Sequence, residues 1–242
     1  MSQTAYGGTP SSRGRDRDSR EGRHRGFAHV KRRNTDADSG VQPVVLAVTG
    51  ASGSLYALKF MEILHDLGQD VHLIVSRAGS QVASLEIGEE GCRSLKQMAA
   101  AVYAEDDMAA APASGSGRWH SMVILPCTMG TLASVAHGIS HNLIHRAADC
   151  FLKERKPLVI VPRETPLNRN HLYNMLRADR TGAVIYPAMP SFYHQAGSLE
   201  DMAYFFAGRL AEFLGFHVRG LKRWRGLGGE GPGTASLDYV AG

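Results

Sequence analysis

Cysteine is scarce. Cys92, Cys127 and Cys150 are odd in number and widely spaced along 242 residues. That excludes a disulfide framework and leaves a reducing, cytoplasmic setting as the expectation. Long apolar runs are missing as well. No segment approaches the length of a membrane span, and the N-terminus carries no apolar signal core, so neither a membrane span nor a secretory leader is expected. A surplus of one charge is absent from most of the chain. Residues 1–40 hold nine Lys/Arg and five Asp/Glu, a balance of +4 that accounts for the whole net charge, while residues 41–242 hold eighteen of each sign. The folded part therefore has no electrostatic footprint for nucleic acid. In the arm, arginines alternate with Asp, Glu, Ser and Gly, which predicts a disordered basic segment over 1–40. No His/Cys/Asp/Glu cluster has metal-ligand spacing, so no metal is expected, and no Ser-His-Asp set stands out.

What is present is alternation. A hydrophobic content of 43% is ample for one domain, expected over 41–226, with a mobile Gly-rich tail over 227–242. Val44-Val45-Leu46-Ala47-Val48 reads as a strand buried on both faces. It runs into Thr49-Gly50-Ala51-Ser52-Gly53 and then a helix from Ser54 to Leu67. The glycines let backbone amides approach a ligand, and the helix N-terminus favours anions, so a phosphate is the expected occupant. A second strand spans Asp70 to Val75 and ends at Ser76, with a helix to about Glu86. Gly88 to Gly117 gives no clear period. Further strands are expected at Ser121–Pro126, Pro157–Val161 and Ala183–Tyr186. Helices are expected at about Met129–His137, Leu143–Lys156, Asn170–Asp179 and from Ser198 to Leu214. Strands alternating with helices predict a doubly wound α/β domain with its ligands beyond the carboxyl ends of the strands. Thr49–Ser54, Ser76, Thr128–Thr131, Arg163–Glu164 and Tyr193 would then share one edge.

Each candidate has a plain alternative. Thr128 and Thr131 suit a phosphate or the polar edge of a flavin, and equally an ordinary helix cap. Cys127 follows a proline and reads as packing, since no partner would lower its pKa. Arg146 and Lys153 are seven apart on one helix face; they can hold an anionic substrate or form a salt-bridged surface. Arg163-Glu164, held between two prolines, can bind phosphate and relay a proton together. Arg209 is a surface arginine or a phosphate clamp, and His194 is read as a surface histidine.

Six ordered motifs then coincide: Thr49-Gly50-Ala51-Ser52-Gly53, Pro126-Cys127-Thr128-Met129-Gly130-Thr131-Leu132, Asn142 to Asp149, Leu152-Lys153-Glu154-Arg155, Val161-Pro162-Arg163-Glu164-Thr165-Pro166-Leu167 and Pro187 to His194. Together, across about Val44 to Trp224, they resemble the flavin prenyltransferases of the UbiX type, long labelled aromatic-acid decarboxylases. The resemblance implies a flavodoxin-like or Rossmann-like subunit that joins a prenyl group from dimethylallyl monophosphate to N5 of reduced FMN and closes a ring at C6. It implies no metal, a homododecamer with sites at subunit interfaces, and delivery of prenylated FMN to a UbiD-type decarboxylase. Carried over, Gly50, Ala51, Ser52, Ser76, Thr128, Met129, Gly130, Thr131 and Arg146 would contact FMN. Lys153, Arg163, Glu164, Tyr193 and Arg209 would surround the prenyl phosphate, with Trp224 covering part of the site. Glu164, Ser52 and Glu86 would manage protons.

One position departs from the pattern. Asp107, before Met108-Ala109, stands where some members carry a tryptophan, so an aromatic wall of the prenyl pocket is expected to be missing. Two rivals remain: a non-catalytic carrier of FMN or prenylated FMN in a decarboxylase complex, and a flavin-dependent cysteine decarboxylase. The latter expects Pro-Ala-Met-Asn where this chain has Pro187-Ala188-Met189-Pro190. A nicotinamide dehydrogenase is disfavoured, since Gly50-Ala51-Ser52-Gly53 is not Gly-x-Gly-x-x-Gly and Ser76, not an acid, ends the second strand.

Overall fold

The structure, a computed structural model, describes residues 42–221, 223 and 224. The expectations for the arm at 1–40 and the tail at 227–242 lie outside the described residues. Six parallel strands form one sheet: β1 (Val44–Val48), β2 (Val71–Val75), β3 (Ala101–Ala104), β4 (Ser121–Cys127), β5 (Leu158–Pro162) and β6 (Val184–Ile185). Their order is β3-β2-β1-β4-β5-β6, the Rossmann order, with its switch point between β1 and β4. The three central strands β1, β4 and β5 are buried at every position. That is why they are continuous apolar runs in the sequence.

Strand periodicity sends alternate side chains to two cores. Val44, Leu46 and Val48 enter one, with α1 (Ser54–Asp66) and α6 (Leu199–Phe213). Val45 and Ala47 enter the other, with α3 (Met129–Ala136), α4 (Leu143–Lys153) and α5 (Arg169–Thr181). Between β2 and β3 runs α2 (Arg77–Gln97), which leaves helical geometry at Gly88 (φ 64°, ψ −178°). The expected end near Glu86 thus marks a real break, but a second helical stretch follows it.

Five helices are capped from their own sequence. Ser76, Thr128, Asn142, Asn168 and Ser198 each accept from the amide three residues on. The cap of α1 is Gly53, which has no side chain to offer. This exception shapes the site.

Candidate active site

The turns after β1 and β4 flank the switch point, and Thr49 ties them together. Its buried Oγ1 donates to the Pro126 carbonyl at 2.7 Å and accepts from the Thr128 amide at 2.8 Å. Gly50 must be glycine, because a Cβ there would meet the Ala78 Cβ at 2.6 Å. Thr49→Val keeps the shape but strands the Thr128 amide and loses the bond to Pro126. We expect a loss of about 2 kcal/mol in denaturant unfolding, with weaker flavin binding in titration.

The expected phosphate at the α1 N-terminus is a correction. That place is taken by a carboxylate from within. Glu86 accepts from the Gly53 amide at 2.9 Å and from the Ser54 amide at 2.6 Å. The break at Gly88 follows two residues after Glu86. Burial pushes the Glu86 carboxyl up, but hydrogen bonds from the Ser52 side chain and the Gly53 and Ser54 backbone outweigh it, so it lies below the ordinary range. Glu86 therefore rests as an ionised acceptor beside Ser52. Because its pKa is lowered by folding, this clasp contributes stability at neutral pH and loses it as pH falls below the ordinary 4.5. Melting curves should show the wild type losing stability more steeply than Glu86→Gln through that acid range.

The α2 N-terminus is filled in the same way. The Arg77 amide donates to Glu105 Oε1 at 2.8 Å, and Glu105 Oε2 accepts from the Asn142 side chain at 3.3 Å. Ser76 is buried and engaged as a cap, accepting from the Gly79 amide. At α3, Thr128 Oγ1 accepts from the Thr131 amide at 3.1 Å and donates to Thr131 Oγ1 at 3.0 Å. Among the described residues, no side chain accepts from the Met129 or Gly130 amides. A Cβ built on Gly130 meets nothing within 4 Å. The end of α3, beside the switch point, is therefore open to an anion at this edge. Thr128 is a helix cap, one of the two readings its sequence leaves open.

The cationic residues fall into two groups on opposite faces. Arg163 and Glu164 follow β5, and the Arg163 amide continues the ladder to the Cys127 carbonyl at 3.3 Å. Glu164 is exposed and accepts from the Thr165 amide at 2.9 Å. The Arg163 charge reaches Tyr56 of α1, whose ring lies 4.6 Å from Phe206 of α6. One turn on, Arg209 pairs with Glu212 at 2.5 Å, and its charge reaches Tyr186. Tyr193 is exposed and carries Trp224 edge-on at 5.7 Å. These residues gather on the α1/α6 face.

Arg146 and Lys153 lie across the sheet, on α4. Arg146 donates from Nε to the Ala113 carbonyl at 3.1 Å and pairs with Asp149 at 3.1 Å. Lys153 pairs with Glu154 at 2.7 Å beside Gly115. Both thus share one face of α4, as their spacing predicts. Lys153 stands eleven residues from the Asn142 cap, about 16 Å down the helix and away from the strand ends. Helices on opposite faces of one sheet have axes on the order of 20 Å apart. A single chain does not bring Lys153 and Arg209 to one phosphate.

A flavoprotein family model matches residues 32–201. The flavin prenyltransferase UbiX of Deinococcus radiodurans is 44% identical over 191 residues, covering 79% of this chain and 97% of the relative. That of Methanothermobacter thermautotrophicus is 42% identical over 186 residues, covering 77% and 97%. The chain belongs to the flavin prenyltransferase UbiX family. Among solved structures, AnUbiX in complex with FMN and dimethylallyl pyrophosphate superposes with a TM-score of 0.75 at 38% identity, covering 78% of this chain and all of that one. A dodecameric FMN-dependent UbiX-like decarboxylase from Escherichia coli gives 0.73 at 33% identity, covering 76% and 100%.

Within this UbiX family chain, Thr49, Glu105 and Glu212 hold the site together through folded contacts. Thr49 falls within the first turn motif, but nothing in the sequence marks it as the bridge between the turns. Glu105 acts across 28 residues and no local signal marks it, whereas Glu212 stands one turn from Arg209 at a spacing that could have marked the pair. Cys127 is packing, as expected: it is fully buried, and burial pushes its thiol far above the ordinary range. His194, expected at the surface, is 3% exposed and stacked on Phe205 at 4.5 Å. Asp107 sits in an exposed turn, accepting from the Ala109 amide.

Proposed function

We propose that this chain transfers a dimethylallyl group from a dimethylallyl phosphate to reduced FMN, making prenylated FMN for a UbiD-type decarboxylase. One arrangement carries the reading. The open amides of Met129 and Gly130 begin α3 just after β4, and the neighbouring strand β5 leads into Arg163-Glu164, a cation and a carboxylate that make no ion pair with each other or with other described residues. An anionic flavin and an allylic phosphate need these two elements side by side.

Gly50, Ala51, Ser52, Ser76, Thr128 to Thr131 and Arg146 hold FMN in this reading. The open space at Gly130 suits a flat ligand laid along the turns. Reduced FMN supplies the nucleophilic nitrogen and carbon. The rest falls to the chain. Cleaving an allylic C–O bond builds charge on the leaving phosphate, and Lys153, Arg163, Tyr193 and Arg209 surround that charge with donors. Glu164 takes a proton, with Ser52 and the ionised Glu86 behind it. Trp224 closes one side.

The division of cations between two faces adds a requirement. Arg209 and Tyr193 of one copy must meet Lys153 of another, so the working form is a homo-oligomer, which we take to be a dodecamer. Unpaired Cys92, Cys127 and Cys150 suit a cytoplasmic setting. Among the described residues, no helix is long and apolar enough to cross a membrane.

The test is anaerobic incubation with reduced FMN and either dimethylallyl monophosphate or dimethylallyl pyrophosphate, followed by mass spectrometry of the released flavin. A flavin heavier by one C5 prenyl unit, formed only with protein, supports the reading and identifies the donor. FMN bound in equal ratio but unmodified with both donors overturns it in favour of a carrier, with Asp107 as the first residue to replace.

A further inference from the structure

Arg209 is not idle in this structure. Its Nη1 meets Glu212 Oε2 at 2.5 Å, one turn along α6. The other oxygen of the same carboxylate, Oε1, accepts from Arg223 Nη2. Glu212 is the inner member of the trio. Its side chain is 10% exposed, against 48% for Arg209 and 58% for Arg223. Burial would raise its carboxyl, yet the bonds from Arg223 and Arg209 hold it below the ordinary range. It is ionised, and the trio carries a net charge of +1.

We infer that Glu212 is a positioning residue that hands Arg209 to the prenyl phosphate, and that Arg223 is the partner which lets it go. The inference rests on the prenyl-phosphate role proposed for Arg209. A sheltered carboxylate with one guanidinium partner resists losing it, because departure strands a desolvated charge. With Arg223 on its second oxygen, Glu212 stays paired when Arg209 turns away. The surrounding space permits that turn. A surface pocket of about 470 Å³ opens beside the trio, lined in part by Tyr186, Phe213, Phe216 and His217. The segment bearing Arg223 is itself anchored on both sides. Leu221 packs on Gly208, where a Cβ would meet its Cδ1 at 2.7 Å, and Trp224 lies against Tyr193. Arg223 is therefore held in place to receive the carboxylate.

Substitutions at Glu212 and Arg223 have opposite signs, which distinguishes exchange from simple bracing, and the Arg209→Ala background distinguishes it from a general effect of charge. Glu212→Gln removes the competitor for Arg209 and raises local positive charge. Arg223→Gln removes the reserve partner, so Glu212 retains Arg209. In the full-length protein, calorimetry with inorganic pyrophosphate should show about tenfold tighter binding for Glu212→Gln and about tenfold weaker binding for Arg223→Gln. The KM for dimethylallyl monophosphate should move in the same two directions, while FMN affinity stays unchanged. The Glu212→Gln gain should vanish when Arg209→Ala is added. Weakening by both variants, or no change in either, overturns the exchange. If wild-type protein makes prenylated flavin and the shifts share a sign, the exchange alone fails. If it makes none and the shifts are opposite, the prenyl-transfer reading fails and the exchange stands for another phosphate.

Discussion

Glu164→Gln should bind FMN as tightly as the wild type and form prenylated flavin some 10²- to 10⁴-fold more slowly, the range for removing a positioned acid–base group. Several features isolate the effect. Glu164 is exposed, and its carboxylate meets no cation among the described residues. Its bond from the Thr165 amide at 2.9 Å can be kept by the glutamine carbonyl. Stability should change by no more than about 0.5 kcal/mol, as for surface substitutions generally. Single-turnover mass spectrometry against time reads the rate, and fluorescence titration reads FMN affinity. Near-normal turnover would remove Glu164 from proton transfer. Loss of FMN would show that it holds the flavin instead.

Lys153→Ala and Arg209→Ala should each abolish most activity alone and recover it together. The two residues stand on α4 and α6, on opposite faces of the sheet. If one copy supplies Lys153 and a neighbour supplies Arg209, chains carrying different lesions can build intact sites. In a randomly mixed assembly, about a quarter of the sites would receive both native side chains, by the combinatorics of a shared interface. Co-expression with two affinity tags, purification through both and assay of prenyl transfer would measure it. Activity no greater than that of the separate variants would place both residues in one chain's own site, against the two-faced arrangement.

How far the sequence was legible depended on burial. Strands β1, β4 and β5 are covered on both faces, so each reads as an unbroken apolar run. Strand β3 did not: Ala-Val-Tyr-Ala is four residues long at the sheet edge, alternately half-buried and exposed, in an alanine-rich stretch. The second stretch of α2 was lost because Gly88 reads as a stop, and a break within a helix leaves the same local mark as its end. The site divides in the same way. Turns that follow buried strands were placed from residue order alone. Which carboxylate fills which helix end was not, because Glu86 reaches Gly53 across 33 residues and Glu105 reaches Arg77 across 28. Asn142, Ser198 and Thr128 were legible, since a cap acts three residues away.

The carboxylates of Glu86 and Glu105 bear on how the protein behaves in a cell crowded with small anions. An open helix end is a resting place for any phosphate that drifts past. A tethered carboxylate has an effective concentration of millimolar or higher, so about millimolar ambient phosphate displaces it poorly. The ends of α1 and α2 are therefore closed to inorganic phosphate, nucleotides and other small anions. The Met129–Gly130 end carries no such carboxylate among the described residues, which leaves it to a ligand that extends along the edge.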